Sequence, residues 1–170
     1  MTEPQAAQSP IVVLTTGGTI DKTYFDALSA YKIGDSIAQK LLDVARVTYP
    51  FQIVEALRKD SLELTAEDRE IVRAKVAALD TTRVVITHGT DTMTETARVL
   101  ASIPGKTIVL TGALSPARFW ESDAPFNLGM AFATAQVAPP GVYITMSGQV
   151  FRGDAVRKDR EGGRFVATSP

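Results

Sequence analysis

Four apolar runs rich in β-branched residues recur along the chain, and each breaks off into hydroxyl residues and glycine. Ile11-Val12-Val13-Leu14 runs into Thr15-Thr16-Gly17-Gly18-Thr19, and Val84-Val85-Ile86 into Thr87-His88-Gly89-Thr90-Asp91-Thr92. Ile108-Val109-Leu110 runs into Thr111-Gly112-Ala113, and Val142-Tyr143-Ile144 into Thr145-Met146-Ser147-Gly148. Apolar runs without alternation predict strands covered on both faces, as in a parallel sheet. Phe51 to Val54 adds a fifth strand. Helical spacing fills the intervals. Asp35 reads as the cap of a helix through Leu42, and Thr65-Ala66-Glu67-Asp68 opens a helix with Ile71, Val72, Val76 and Leu79 on one face. Thr92 is placed to cap a helix carrying Met93, Ala97 and Leu100 on one side. Phe126 to Gln136 reads as a small-residue helix stopped by Pro139-Pro140-Gly141.

Alternating strands and helices predict a three-layer α/β/α fold with a mostly parallel sheet, flavodoxin-like or Rossmann-like. In such a sheet the hydroxyl-and-glycine endings open on one edge, where ligands of this architecture bind. Residues 1–10 read as a flexible polar lead and residues 11–170 as a single domain. Residues 20–34 read as a long loop bearing Tyr24, Phe25 and Tyr31, of a length that is more often functional than inert. At the C-terminal end, Val150-Phe151 and Arg164-Phe165-Val166 read as a β-hairpin around a charged loop that holds Lys158.

Composition narrows the chemistry. With 18 basic and 19 acidic residues the chain has no electrostatic footprint for nucleic acid and no polybasic membrane patch. A small neutral or zwitterionic ligand fits better. There is no cysteine and one histidine, so thiol nucleophiles, disulfides and thiolate or multi-histidine metal sites are excluded. The opening residues lack a basic n-region and an apolar h-region, which predicts a cytoplasmic protein, and no apolar stretch approaches the roughly 20 residues of a membrane span. Gly105-Lys106-Thr107 is not a phosphate loop, because Leu100 stands where the first glycine belongs and the segment enters a strand.

Chemistry must rest on the polar groups presumed to share the sheet edge: Thr19, Tyr24, Asp60, Ser61, Thr90, Asp91 and Lys158. A hydroxyl is a weak nucleophile and needs a base within hydrogen-bond reach. Thr90, Lys158 and Asp91 can form a relay of hydroxyl, amine and carboxylate, with Tyr24 as a proton shuttle for Thr19. Backbone N–H groups near Gly17, Gly18 and Gly89 are candidates for an oxyanion hole. Asp60 beside Ser61 is either an ammonium-binding turn or a solvated one. Thr2, exposed by removal of Met1, is a weaker candidate nucleophile, with nothing around it to position it.

The segments Thr16-Gly17-Gly18-Thr19-Ile20, His88-Gly89-Thr90-Asp91-Thr92-Met93, Thr111-Gly112-Ala113, Asp123 to Leu128 and Gly153 to Lys158 resemble the ordered signatures of bacterial-type L-asparaginases. The resemblance implies hydrolysis of asparagine to aspartate and ammonia through a covalent acyl-threonine, without metal or cofactor. It implies Thr19 as the nucleophile that forms the acyl-enzyme. Thr90, Asp91 and Lys158 match the second threonine, the acid that also grips the substrate amine, and the lysine. Tyr24 is matched to the loop tyrosine, with Tyr31 as its competitor. Gly18, Asp60, Ser61 and Gly89 fall on substrate-binding positions. Leu62 stands where many relatives carry a polar contact, which predicts weaker substrate binding. The family's second domain has no counterpart here, so the chain is either a fragment or, as the retention of Lys158 favours, a short form expected to act as a homo-oligomer (dimer or tetramer). Glutaminase-asparaginase activity, a non-catalytic amino-acid-binding module, and an amidase domain of a tRNA-amidating assembly are the alternatives.

Overall fold

A computed structural model of the chain describes residues 8–25 and 30–168. Thr2 and the first seven residues of the expected lead lie outside them. Five parallel strands form the centre: β1 (Ile11–Gly17), β4 (Phe51–Lys59), β5 (Arg83–Thr87), β6 (Thr107–Thr111) and β7 (Gly141–Met146). With the antiparallel edge strand β8 (Gln149–Arg152), their order is β4-β1-β5-β6-β7-β8. Helices α1 (Ala38–Val44) and α4 (Ala124–Val137) cover one face, where Val13, Val85, Val109 and Tyr143 meet Leu42, Leu128 and Phe132. Helices α2 (Ala66–Ala78) and α3 (Met93–Leu100) cover the other, where Leu14, Ile86, Leu110 and Ile144 meet Val72, Val76, Met93 and Leu100. The expected three layers are therefore present, and the alternation that was invisible in the apolar runs is the alternation between two buried faces.

The strand endings are in register. Thr15 pairs with Thr87, Thr87 with Thr111, and Thr111 with Thr145, so four buried threonines form a row across the sheet. The Thr111 hydroxyl donates to the Thr145 carbonyl at 2.9 Å, and the Thr16 hydroxyl donates to that of Thr87 at 2.9 Å. Strand ends that would otherwise splay are thus cross-linked just below the loops they carry.

Several expectations need correction. The long loop of residues 20–34 contains a two-stranded antiparallel hairpin, β2 (Lys22–Phe25) with β3 (Ala30–Ile33); its intervening residues 26–29 lie outside the described ones. Asp35 does not cap α1. Ile37 is the residue preceding that helix, and its N–H is taken by the carboxylate of Asp21 at 2.9 Å, while Asp35 pairs with Arg58. Thr92 precedes α3 without capping it through its side chain, because its hydroxyl donates to the Ser61 carbonyl at 2.7 Å. Val150 and Phe151 pair with β7, and the C-terminal hairpin is instead β9 (Val156–Asp159) with β10 (Arg164–Ala167). Thr65 and Asp68 do form the expected capping box. Lys106 donates to the carbonyls of Leu79 and Thr81, which gives it a structural tie at the start of β6.

Two ionisable groups are buried near the carboxyl edge. The ring of His88 is enclosed, with Nδ1 2.7 Å from the Gly89 carbonyl and Nε2 2.8 Å from the Thr96 hydroxyl. Burial pushes it down from 6.5 to about 4, against the pull of the Gly89 carbonyl. Burial pushes Asp21 the other way, from 3.8 to about 6, opposed by the Ile37 N–H, the Ser36 hydroxyl, Arg118 and Arg58.

The two shifts have opposite effects on stability. Below pH 6.5 the unfolded chain protonates His88 while the native chain does not until about pH 4, so acidification through that window removes stability. Native Asp21 takes up its proton near pH 6 and the unfolded chain only near 3.8, so acidification between those values adds stability. Asp21→Asn is predicted to abolish the compensating gain, so its denaturation free energy should fall more steeply from pH 6 to pH 4 than that of the wild type, by up to about 1.4 kcal/mol per pH unit. Parallel pH curves in urea titrations would refute this. At Gly112 an added Cβ would strike the His88 carbonyl oxygen, so Gly112→Ala is expected to lose roughly 1–3 kcal/mol in the same titration.

Candidate active site

Three loops converge at the carboxyl ends of the adjacent strands β4, β1 and β5, and glycine makes their approach possible. Gly17 and Gly18 have φ of +93° and +89°, turning the chain out of β1 into a short 3-10 turn, Thr19–Asp21. A Cβ on Gly18 would collide with the backbone nitrogen of Gly89 and stand 2.5 Å from its Cα. A Cβ on Gly89 would stand 2.5 Å from the Cβ and Oγ of Ser61. Gly18 and Gly89 are therefore stacked backbone on backbone, and the Ser61 side chain packs against Gly89. Thr19 and Thr90, which follow the two glycines, are brought onto adjoining turns.

Thr90 is buried, and Lys158 Nζ donates to its hydroxyl oxygen at 2.7 Å and to Asp91 Oδ1 at 2.9 Å. Lys158 lies within strand β9 rather than in a solvated loop, and this placement explains its aim. It pairs across the hairpin with Phe165, and side chains at 156 and 158 share that face. Val156 and Phe165 are buried in the core beside α3, and the Phe165 N–H donates to the Ser147 hydroxyl at 2.9 Å. The hairpin is thus pinned in register, and the lysine is the one polar group of its inner row. Arg160 adds a second cation, 3.8 Å from Asp91.

Asp60 and Ser61 follow β4, which runs five residues beyond the expected Val54 and so delivers them to the same edge. Ser61 is buried. Asp60 accepts from the Leu62 N–H at 3.1 Å and pairs with Lys22 at 2.9 Å. Burial raises its proton affinity, but the Lys22 ammonium and the backbone N–H groups outweigh that and hold it below the usual carboxylate range. Lys22 went unremarked in the sequence; the signal was its alternation with Tyr24, legible only once 22–25 is read as a strand. Leu62 is exposed and offers no polar group beyond its backbone.

Tyr24 and Tyr31 are direct cross-strand partners, their rings 5.4 Å apart, and both are about half exposed, at 51% each. They stand on the hairpin face that also holds Lys22 and Ile33, and that face turns toward β1 and β4, because Lys22 reaches Asp60 and Ile33 packs against Gly17. Both tyrosines are therefore placed to overhang the edge. The expected oxyanion hole is reduced, since the Gly18 N–H already donates to the Lys59 carbonyl at 3.1 Å. Among the described residues no three acidic or histidine side chains cluster as metal ligands would. The arrangement offers two threonine hydroxyls on adjoining turns, one of them in contact with an amine and its carboxylate, which is the equipment for nucleophilic attack on a carbonyl with proton relay.

The family model described as "Asparaginase, N-terminal" matches residues 10–164. An L-asparaginase of Thermococcus kodakarensis is 34% identical over 158 residues, which take in 87% of this chain and 47% of that protein. A glutaminase-asparaginase of Acinetobacter glutaminasificans is 32% identical over 168 residues, 87% of this chain and 49% of that protein. Among solved structures, the thermostable L-asparaginase from Thermococcus kodakarensis superposes with a TM-score of 0.82 at 29% sequence identity, over 94% of this chain and 51% of that one. The chain spans about half the length of these relatives. With the family model matched over nearly all of its residues, the chain belongs to the asparaginase family and corresponds to that family's N-terminal domain.

Proposed function

We propose that the protein is an amidohydrolase that converts L-asparagine to L-aspartate and ammonia. The observation that carries this reading is the contact of Lys158 with Thr90 and Asp91, made between residues 67 and 68 positions apart in the chain. In the proposed reaction Thr19 Oγ bonds to the side-chain amide carbon, the C–N bond breaks, and the nitrogen leaves as ammonia with the hydroxyl proton. Water then cleaves the acyl-threonine, releasing aspartate and returning a proton to Thr19. Thr90, Lys158 and Asp91 carry protons for these steps, and Tyr24, with Tyr31 beside it, closes the site over Thr19. Gly18, Gly89, Asp60 and Ser61 hold the substrate's carboxylate and ammonium ends, with Asp91 also facing the ammonium.

Glutamine is the second substrate in this reading, supported by the similarity to a glutaminase-asparaginase. One methylene is worth only about 1–3 kcal/mol of discrimination in a pocket. The reading includes self-association, because Phe119, Trp120 and Phe126 are exposed near the site, as are both tyrosines. Among the described residues no helix is long and apolar enough to cross a membrane.

Ammonia release from L-asparagine and L-glutamine tests the proposal. Thr19→Ala and Lys158→Met are each expected to lower asparagine turnover by about 10²–10⁴-fold without unfolding the chain. A folded wild-type protein that releases no ammonia from either amide would refute the assignment. Full turnover by Lys158→Met would refute the relay.

A further inference from the structure

Asp21 lies two residues beyond Thr19, and three of its groups are engaged at once. Its N–H donates to the Gly18 carbonyl at 3.1 Å, closing the turn that presents Thr19. Its carbonyl accepts from the Gly34 N–H at 2.9 Å, and its carboxylate accepts from the Ile37 N–H at 2.9 Å. The hairpin leaves the domain at Lys22 and returns at Ile33, so residues 21 and 34 are the two sides of its neck. One residue therefore joins the nucleophile turn, both sides of the hairpin neck and the start of α1. The Ile20 carbonyl beside it accepts from the Ala117 N–H at 3.2 Å, bringing in the loop that carries Phe119.

Beyond the neck, the hairpin's described ties to the domain are few. Lys22 pairs with Asp60, and Tyr31 meets the edge of Phe119 at 5.9 Å between ring centres. The pitch of the hairpin over the sheet edge is set mainly at its base. A buried carboxylate is an expensive way to fill that position, since a neutral group would escape the desolvation cost. Arg118 and Arg58 face it from the loop after β6 and from β4, and Ser36 faces it from the segment before α1, where Asp35 pairs with Arg58. Among the described residues no acid makes direct contact with it. A group held there at a cost in stability fits a positional duty.

We propose that Asp21 is a positioning residue: its carboxylate, through the Ile37 N–H, ties the neck of the 22–33 hairpin and the turn bearing Thr19 to the start of α1, and so fixes the placement of Tyr24 and Tyr31 relative to the nucleophile. This rests on the amidohydrolase reading above for its catalytic consequence, though not for its structural one. The lock is the acceptor oxygen. Asparagine at 21 keeps such an oxygen for the Ile37 N–H and alanine does not.

The test compares Asp21→Asn and Asp21→Ala at pH 7.5, with folding checked by thermal melting. Asp21→Ala is expected to lower kcat/KM for asparagine roughly 10- to 100-fold, as misplacement of a reacting group does, while Asp21→Asn retains most of the wild-type value. In a Tyr24→Phe, Tyr31→Phe background the alanine penalty should shrink, because the groups it misplaces have already lost their hydroxyls. Equal losses in the asparagine and alanine variants, or a penalty that stays undiminished without the tyrosine hydroxyls, would overturn the proposal. A second arm needs no activity. Trypsin should cleave after Lys22 and Lys32 faster in folded Asp21→Ala than in the wild type or Asp21→Asn, and equal rates would overturn the lock. An inactive wild-type chain with this protection pattern would refute the amidohydrolase reading while leaving the lock standing.

Discussion

Exclusion of a Cβ at two glycines of one seam governs the rest of the molecule. Adjacent strands lie about 4.8 Å apart, too far for the turns beyond them to touch unless the backbones lean together. At Gly18, Gly89 and Ser61 they do lean together, with no space for a Cβ on either glycine. This contact fixes the relation between the turns of β1, β4 and β5 before any polar interaction is made. The row of threonines beneath it, Thr15, Thr87, Thr111 and Thr145, keeps the strand ends level, so loops distant in sequence emerge at one height.

Charge is then distributed to either side of the seam. Lys22 with Asp60 flanks it at β4, and Lys158 with Asp91 flanks it at β5. All four side chains are partly exposed, at 17–31%, and ion pairs so placed contribute about 0–1 kcal/mol to stability. Their weight in the fold is therefore slight beside the burial of Val156 and Phe165, which holds the lysine's strand in place. The apolar groups position the strand, and the charged pairs add little to its stability.

How much of this was legible from the sequence follows from how local each determinant is. Four of the five parallel strands were legible because burial on both faces forces unbroken β-branched runs, whereas β4, a half-exposed edge strand, was legible only as far as Val54; the capping box at Thr65 was legible because both partners lie within four residues. The hairpin at 22–33 was not, since its strands are short and polar and its alternation has meaning only against a partner strand. Asp35 carried a local capping signal, but the Ile37 N–H was claimed by Asp21, 16 residues away. Lys158 was legible as a relay candidate by its residue type, and the resemblance matched it to the family's lysine. Its place on a strand was not legible, because the residue that aims it, Phe165, is its partner across a hairpin whose other half had been paired with the wrong segment.

The lysine's position near the end of the chain bears on how the protein comes into being. Thr19, Asp60 and Thr90 sit on the turns that follow β1, β4 and β5, and all three turns are synthesised well before residue 158. The contact between Lys158 and Thr90 bridges 68 residues and depends on β10 closing over β9. A growing chain can thus build the seam, the threonine row and most of the core while the Thr90 hydroxyl still lacks its lysine partner. Closure of the β9–β10 hairpin is what brings the Lys158 amine to the Thr90 hydroxyl, so this contact forms only after the strands it bridges are available.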